Sequence, residues 1–424
     1  MFNRNNEKTG RQGGKRRRLP VFSIVLVLCY LVVFIWFLIN GFGKGEQDLD
    51  EDPNEPVAVT SFVTPDMELL YITPPDTDVK TDEDPPPAVK VKGLYVSAWR
   101  AGMADRMDRF MELCETTEIN ALVIDVKDDL GQITFITETQ GLSGTSTFII
   151  PDIDRLVLNM KNRGIYTIAR VVCFKDPAWS SKHPQYAIQT SWGELWEDRG
   201  GVSWLDPYKT EVWDYLAAVC MEAARVGFDE VQLDYVRFPA DGRLSDISYG
   251  TAGEEKTKPE IINEFVLYIR DMLAEKNVRL SADVFGIIAI SNRDAQIIGQ
   301  DLSLLLHSMD SICPMIYPSH FANKNQNGIG QIINGVLFEA PDLEPYEVVY
   351  NILLEFKRHL DADSDNAIIR PYLQDFTASY LGDDYYQDYN AAQVLEQIKA
   401  VNDAGFDEWI LWNHISVYSE DAFE

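Results

Sequence analysis

Residues 230–239 read E-V-Q-L-D-Y-V-R-F-P, an apolar strand that delivers Asp234 and Arg237 at its end. Alternation places Asp234 on the face opposite to Val231 and Leu233, so its carboxylate points away from the apolar layer. Four other segments repeat this design, an apolar run that ends in polar or acidic residues, at 121–129, 166–176, 279–286 and 367–376. Acidic residues gathered at one end of several parallel strands are typical of the active-site end of a barrel.

Residues 91–424 alternate between strand-like runs and longer amphipathic runs, the pattern of repeated β–α units around a parallel sheet. We predict strands at 92–99, 121–127, 166–174, 230–238, 279–285, 311–317, 367–374 and 408–413. We predict helices at 103–117, 153–162, 209–225, 259–275, 295–308, 345–359 and 391–404. Eight strands over this length predict an α/β protein of the (β/α)8 TIM-barrel class.

An open doubly wound sheet is the alternative to the barrel. That fold expects a Gly-rich phosphate-binding turn after the first strand, and here the strand ends in S-A-W-R-A-G-M. Only residues 414–424 follow the eighth strand, so either a short final helix or an N-terminal segment is expected to close the ring. The long loops at 175–208 and 318–344 are expected to build specificity.

Residues 1–39 have the pattern of a signal anchor. A basic tail (1–20) ends in K-R-R-R-L-P, and an almost unbroken apolar run (21–39) follows it. At about 1.5 Å per residue, that run nearly crosses a hydrocarbon core of about 30 Å. The basic cluster predicts a cytoplasmic N-terminus with the rest of the chain outside. We therefore predict a single-pass membrane protein whose residues 21–39 contact the lipid bilayer; a cleaved signal peptide is the alternative.

Residues 40–90 are rich in Asp, Glu, Pro and Thr and have almost no apolar periodicity. Such a segment cannot bury enough apolar area to offset its ordering entropy, so we predict a disordered tether. The formal net charge of the chain is -30. A field of that sign repels phosphate backbones, which excludes nucleic acid as a partner and favours neutral polysaccharide over polyanions.

The cysteines and histidines do not form a metal-binding pattern. No C-x-x-C, H-x-H or H-E-x-x-H spacing occurs, so we predict no metal site and no cofactor. Each cysteine lies in an apolar run, which favours buried thiols over a disulfide framework. They are Cys29, Cys114, Cys173, Cys220 and Cys313.

The ends of the predicted strands bring carboxylates together. By alternation Asp125, Asp234 and Asp283 all point inward, and their mutual repulsion raises the pKa of at least one of them. Glycoside hydrolysis needs such a pair, one carboxyl group as the acid and the other as nucleophile or base. We predict Asp234 as nucleophile, oriented by Arg237, and Asp283 as general acid, at the roughly 5 to 5.5 Å expected of a retaining pair. A salt bridge between Asp234 and Arg237 and a loop-capping Asp283 are the structural alternatives.

Further residues are candidates for substrate binding. Asp125 and Lys127 follow the second strand, where a charged run is either a set of sugar contacts or a solvated strand end. Aromatic rings stack on the C–H faces of sugars, and they also pin long loops to a barrel. The complete set of predicted substrate-binding residues is Asp125, Lys127, Arg237, Trp99, Trp204, Tyr317, His320, Gln374 and Trp412.

Several motifs, in this order, resemble the bacterial "putative glycoside hydrolase domain" family, long catalogued as being of unknown function. They include A-L-V-I-D-V-K-D-D-L-G, V-Q-L-D-Y-V-R-F-P, S-A-D-V-F-G and C-P-M-I-Y-P-S-H-F, and the resemblance spans about 91–418. It implies a TIM barrel distantly similar to α-amylase-type glycosidases, with the nucleophile at Asp234 and the acid at Asp283. Amylases usually carry Glu on strand five, and an Arg two residues before the strand-four Asp, where this chain has Gln232.

These observations predict an anchored, extracytoplasmic glycoside hydrolase or transglycosidase that acts on polysaccharide or oligosaccharide. The alternative is a non-catalytic barrel that binds carbohydrate and tethers or senses cell-wall polymer. No G-x-S-x-G elbow supports a serine nucleophile.

Overall fold

The computed structural model describes residues 89–360 and 366–423. Parallel strands close into a barrel in chain order, each hydrogen-bonded to the next and the last to the first. The TIM-barrel prediction is confirmed. The strands are β1 (Lys92–Val96), β2 (Ala121–Lys127), β3 (Tyr166–Val172), β4 (Glu230–Asp234), β5 (Arg279–Phe285), β6 (Ser311–Met315), β7 (Ile368–Ile369 and Tyr372–Gln374) and β8 (Trp409–Trp412).

Seven helices of the described residues surround the barrel, and six of them lie at the places that the hydrophobic periodicity predicts. They are α1 (Ala104–Thr116), α2 (Ile153–Asn162), α3 (Thr210–Val226), α4 (Lys258–Ala274), α5 (Asn292–Ile298), α6 (Pro345–Arg358) and α7 (Ala391–Asp403). Shorter helices lie in the loops, at Ala98–Ala101, Pro177–Lys182, Ala252–Glu255, Leu302–Leu305 and Lys324–Asn327.

The prediction of one continuous helix over 295–308 is wrong. The chain forms α5 and then a separate short helix, Leu302–Leu305. Gly299 ends α5 in the left-handed conformation, with φ of +80°, and a β-carbon there would lie 3.0 Å from the carbonyl oxygen of Lys258. Asp301 then caps the second helix by accepting hydrogen bonds from the backbone N–H groups of Ser303 and Leu304.

Two apolar cores lie on the two faces of the sheet. Val231 and Leu233 of β4 pack outward into the layer between strands and helices. A smaller cluster fills the barrel interior and includes Val123, Ile168 and Ile410. The alternation read from residues 230–239 is therefore confirmed, with the polar residues of β4 inside the barrel.

Polar side chains also pair with one another inside the barrel. Arg370 donates to Glu230 and Glu408, each at 2.7 Å, and all three side chains are buried. One layer higher, the Tyr372 hydroxyl donates to the Gln232 side-chain oxygen at 2.6 Å. These partners satisfy the inward polar positions of β4, which would otherwise cost free energy on burial.

A short C-terminal segment follows β8 and lies where the barrel closes, at β8 and β1. A single 3-10 turn, Glu420–Ala422, is followed by the buried Phe423. The Tyr418 hydroxyl donates to the carbonyl oxygens of Tyr95 and Leu411, so the tail is tied to β1 and β8. The short final helix that the sequence predicts here is a single 3-10 turn, and the alternative, an N-terminal segment, lies outside the described residues.

The predicted basic tail 1–20, membrane span 21–39 and acidic linker 40–90 lie outside the described residues, except for residues 89 and 90. No helix in the described ranges has the length and apolar character needed to span a bilayer. Cys114, Cys173, Cys220 and Cys313 are free thiols, and all except Cys114 are fully buried, as the apolar patterns predicted.

Candidate active site

A cavity of about 820 Å³ lies at the carboxyl ends of the strands. Its floor includes Asp234 at the end of β4, Asp283 on β5 and Tyr372 on β7. A space of this size is typical of a small-molecule site. Residues that the sequence predicts as site residues and that line this cavity are Asp234, Asp283, Arg237, Tyr317, His320 and Trp412.

Asp234 is paired with a buried guanidinium, that of Arg170. Arg170 Nε and Nη2 donate to Asp234 Oδ2 at 2.9 and 2.6 Å. The backbone N–H of Tyr235 donates to Asp234 Oδ1 at 2.6 Å. Tyr235 adopts a left-handed backbone with φ of +49°, which is uncommon for a bulky residue and is found where a site imposes strain. Both oxygen atoms of Asp234 thus accept hydrogen bonds that fix the orientation of its carboxyl group.

Arg170 is the centre of a network that joins four strands, β1 to β4. Its Nη1 donates to Asp125 Oδ1 on β2 at 2.7 Å, and Asp129 lies 3.4 Å from its Nη2. Asp125 also accepts a hydrogen bond from the Tyr95 hydroxyl at 2.6 Å. Burial raises the pKa of Asp125, while Arg170 and the Tyr95 hydroxyl act in the opposite direction. The network fixes the guanidinium, and the guanidinium fixes Asp234.

Asp283 has the opposite environment. Its side chain is buried, and its Oδ1 atom has no hydrogen-bond partner among the described residues. Burial, and then the negative charge of Asp234, raise the pKa of the Asp283 carboxyl well above its usual range. A buried carboxyl group without a cation keeps its proton at pH values where an exposed one loses it.

The two carboxyl groups lie on neighbouring strands at the same level. Leu233 of β4 is paired in register with Ala282 of β5, so the next residues along, Asp234 and Asp283, are neighbours too. Adjacent strands are about 4.8 Å apart. A proton donor and a fixed carboxylate thus share one cavity. The separation expected of a retaining pair stays a prediction.

Aromatic residues form much of the cavity wall. Tyr317 packs edge-on against His320, and burial lowers the pKa of the His320 imidazole. Trp412 stacks on Tyr95 with 4.0 Å between the ring centroids. Rings of this kind offer flat apolar faces to a sugar.

The expectation that Arg237 orients Asp234 is wrong. Arg170 takes that position, and Arg237 instead lies among three aromatic rings, those of Phe285, Trp204 and Tyr235. The alternative of a salt bridge between Asp234 and Arg237 is wrong as well, because every carboxylate of the described residues lies beyond 4.0 Å from this guanidinium. Proximity in sequence misled here because the chain turns sharply at Tyr235.

Three predicted substrate-binding residues are committed to protein partners. Asp125 is buried in the Arg170 network and does not line the cavity. Lys127 is fully buried, paired with Asp176 at 3.0 Å, because the chain passes a bulge between Asp125 and Lys127. Gln374 is also buried, and its amide donates to Asp342 and accepts from the N–H of Ser319.

Two predicted tryptophans also lie outside the cavity lining. Trp99 is 66% exposed on the helix Ala98–Ala101. Trp204 is buried, so it supports Arg237 and Tyr235 from behind. Trp179 and Trp196 are buried too, so three of the four tryptophans of the loop after β3 pin that loop to the barrel, whereas Trp192 is exposed.

Sequence reasoning missed Arg170, Lys175 and Phe285. Arg170 carried a usable signal, since it is the single charge in the apolar strand Y-T-I-A-R-V-V, and alternation places it inward. Lys175 lies beyond the end of β3 and Phe285 is the last residue of β5, and neither has such a signal. Within residues 89–360 and 366–423, no group of three or more His, Cys, Asp and Glu side chains could hold a metal ion.

Comparison with known proteins supports the fold. A family profile described as "putative glycosyl hydrolase domain" matches residues 93–418. The glycoside hydrolase domain of PgaB (BpsB) from Bordetella bronchiseptica has a TM-score of 0.57 at 11% identity, covering 77% of this chain and 94% of that one. The beta-galactosidase of the psychrophilic Marinomonas ef1 has a TM-score of 0.53 at 11% identity, covering 76% of this chain and 53% of that enzyme.

A hypothetical protein from Ruminiclostridium thermocellum ATCC 27405 is 39% identical, with a TM-score of 0.42, and the match covers 45% of this chain and 97% of that one. No curated protein matches the chain significantly.

Proposed function

The chain belongs to the "putative glycosyl hydrolase domain" family, and on that premise we propose that it is a glycoside hydrolase or transglycosidase with Asp234 as nucleophile and Asp283 as general acid. The observation that carries this proposal is the contrast between the two carboxyl groups. Asp234 is ion-paired with Arg170, whereas Asp283 is buried with an unpartnered oxygen. Pairs of acids with divergent environments are the mark of acid and nucleophile assignments.

The reaction proceeds in two steps through the same two residues. Asp283 gives its proton to the glycosidic oxygen as the bond from that oxygen to the anomeric carbon breaks, and Asp234 forms a bond to the anomeric carbon. Asp234 Oδ1 accepts one backbone hydrogen bond, which leaves it a lone pair for this attack. Water, or a sugar hydroxyl in transglycosylation, then attacks the same carbon. Its proton returns to Asp283, and Asp234 leaves as a carboxylate.

We further propose that the substrate is a polysaccharide or oligosaccharide outside the cytoplasm, and that residues 21–39 anchor the enzyme in the membrane. The apolar run and the basic residues before it support this location. The aromatic wall around Tyr317 and Trp412 supports a sugar as the ligand.

The test compares Asp234→Asn and Asp283→Asn with the parent protein on a panel of cell-wall and plant glycans, with product sizing. Asp234→Asn is expected to lower turnover by at least about a thousandfold, since the nucleophile is lost. Asp283→Asn is expected to lower it by about 10²- to 10⁴-fold, the usual contribution of a general acid. Asp105→Asn, an exposed change on α1, is the matched control and leaves turnover unchanged.

Product stereochemistry completes this test. Retention at the anomeric carbon, followed by NMR, is expected for the two-step route. Glycan binding without turnover by the parent protein would instead identify the carbohydrate-binding barrel. Full turnover by Asp234→Asn would remove that residue as nucleophile.

A further inference from the structure

Two cationic side chains at the cavity flank one aromatic ring and have no carboxylate partner. Lys175 Nζ lies 4.6 Å from the centroid of the Tyr235 ring, and Arg237 Cζ lies 5.1 Å from the same centroid. Within the described part of the chain, neither cation has a carboxylate oxygen within 4.0 Å. Both cations line the same cavity as Tyr235 and the proposed nucleophile Asp234.

Arg237 is the more informative of the two because it is only 8% exposed. A guanidinium has five N–H donors, and the contact that Arg237 makes is one hydrogen bond, from Nη1 to the carbonyl oxygen of Phe238 at 2.9 Å. The nitrogen atoms of Arg237 that make no hydrogen bond are not fully enclosed by protein. Because the residue lines the cavity, these free donors face that space.

A buried cation without an anion costs free energy. Burial accordingly lowers the pKa of Arg237. The rings of Phe285 and Trp204, 4.5 and 4.9 Å from Arg237 Cζ, offset part of this cost by cation–π attraction. They also hold the guanidinium in one place without using its hydrogen-bond donors, which is an arrangement suited to receiving an anion.

The acids near the cavity form no ion pair with these two cations among the described residues, although Asp234, Asp241 and Asp198 act from a distance to raise the pKa of Arg237 against the larger effect of burial. Asp234 and Asp129 are paired with Arg170, and burial raises the pKa of the Asp283 carboxyl. Asp294 lies in the first turn of α5, where the positive end of the helix dipole favours a carboxylate. Arg237 and Lys175 therefore remain available to a ligand.

We propose that the cavity binds a sugar that carries a carboxylate, of the uronic acid class, with Arg237 and Lys175 holding that carboxylate beside Asp234. This inference rests on the proposed function and adds the substrate class to it. The planar guanidinium matches a planar carboxylate, and the ammonium of Lys175 adds a point charge. The net charge of -30 does not prevent this, because charges beyond about 8 Å are largely screened at physiological salt.

Binding is measured on the full-length protein with pairs of sugars that differ only at C6. D-galacturonate is compared with D-galactose, and D-glucuronate with D-glucose, by calorimetry or ligand-observed NMR. The acidic sugar of a pair is expected to bind about 10- to 100-fold more tightly, the usual gain from hydrogen bonds to a charged group. Arg237→Gln and Lys175→Gln are each expected to reduce that preference, and the exposed control Arg106→Gln to leave it unchanged.

Kinetics separate this inference from the proposed function. On a uronate-containing substrate Arg237→Gln is expected to raise KM by more than it does on the corresponding neutral glycan, whereas the exposed control Arg106→Gln leaves both KM values unchanged. Turnover of neutral glycans with equal affinity for both sugars of each pair overturns the carboxylate site and leaves the hydrolase intact. Preference for uronates without any turnover supports the site and overturns the hydrolase.

A further control separates carboxylate from general anion binding. Equal or tighter binding of glucose 6-sulfate would overturn the assignment of a carboxylate. If Arg237→Gln fails to fold, judged by near-UV circular dichroism, the half-buried Lys175→Gln and the charge-conserving Arg237→Lys carry the test. Loss of the planar fork in Arg237→Lys is expected to weaken uronate binding while its charge remains.

Discussion

Asp283 links catalysis to stability because its buried carboxyl group has an unpartnered oxygen. Its pKa in the folded protein is raised above the unfolded value of about 3.9. The stability that depends on its proton is therefore complete below about pH 4 and is lost as the pH rises toward the raised pKa. A neutral residue of the same shape avoids that loss.

We therefore expect Asp283→Asn to increase thermal stability at pH 8 while it lowers turnover. The gain comes from the ionisation that the amide does not undergo, and each pKa unit by which burial disfavours that ionisation corresponds to about 1.4 kcal/mol. Melting temperatures of parent and variant at pH 5 and pH 8 check this, and the difference is expected to be larger at pH 8. An equal difference at both pH values would contradict a raised pKa, and the exposed Asp105→Asn is expected to change neither melting temperature.

Among the described residues, Arg170 is the cation that pairs with both Asp125 and Asp234. Replacing it by methionine leaves Asp125 and Asp234 buried and uncompensated, which typically costs about 3–5 kcal/mol. We expect the free energy of unfolding in urea to fall by that amount. The control is Arg163→Met, whose partners Asp108 and Glu115 are at the surface, and which is expected to cost at most about 1 kcal/mol. Similar costs for the two variants would remove Arg170 from its central position.

The charge-conserving Arg170→Lys separates positioning from stability. It keeps a cation but loses the fork that contacts Asp234 and Asp125 together. Because Asp234 is then held less firmly, kcat is expected to fall by about tenfold or more, while the free energy of unfolding in urea falls by less than in Arg170→Met.

The loops after β2 and β3 meet at Asp176. This residue pairs with Lys127, accepts a hydrogen bond from the N–H of Trp179 at the start of the helix Pro177–Lys182, and accepts another from the Tyr215 hydroxyl. Lys127, which the sequence predicts to bind sugar, is thus part of a buried ion pair that connects the loops after β2 and β3. Gly131 packs against the same carboxylate, since a β-carbon there would lie 2.0 Å from Asp176 Oδ1.

Gly131→Ala is therefore expected to lower the free energy of unfolding, because it disturbs the contact between the loops after β2 and β3 at Asp176. Gly141 offers a matched control, because it has a similar φ (+84° against +75°) and open space around its β-carbon position. Gly141→Ala is expected to cost only the left-handed backbone penalty, about 1–2 kcal/mol. Urea unfolding should show a larger loss for Gly131→Ala, since Asp176 must move as well. Equal losses would mean that the contact with Asp176 is unimportant.

The whole protein is proposed to act outside the cell while tethered to it. Deletion of residues 1–40 is expected to move the protein from the membrane fraction to the soluble fraction, because the apolar run is lost. In cells whose outer layers have been removed and whose membrane is intact, added protease is expected to digest the parent protein as far as the anchor. N-terminal sequencing of the mature protein checks the alternative: a start beyond residue 39 would identify a cleaved signal peptide in place of an anchor.

The number, order and polarity of the barrel strands could be predicted from the chain because they follow local periodicity. Strands with an inward polar residue every second position, such as β4, are recognisable without knowledge of their neighbours. The same periodicity correctly predicts that the side chains of Asp234 and Asp283 point into the barrel. It failed at 295–308, where a close approach to α4 at Gly299 ends the helix, a contact distant in sequence.

The partner of each charge could not be read locally, because barrel closure brings together residues that are far apart in the chain. Arg170 and Asp234 are separated by 64 positions, yet they form the ion pair, while the neighbouring Arg237 is carried away by the turn at Tyr235. Burial then divides the two acids into a paired carboxylate and an isolated carboxyl group. Local pattern thus decides which side chains enter the barrel, and only the folded arrangement decides their charge states, since ion pairing and desolvation depend on distances across strands.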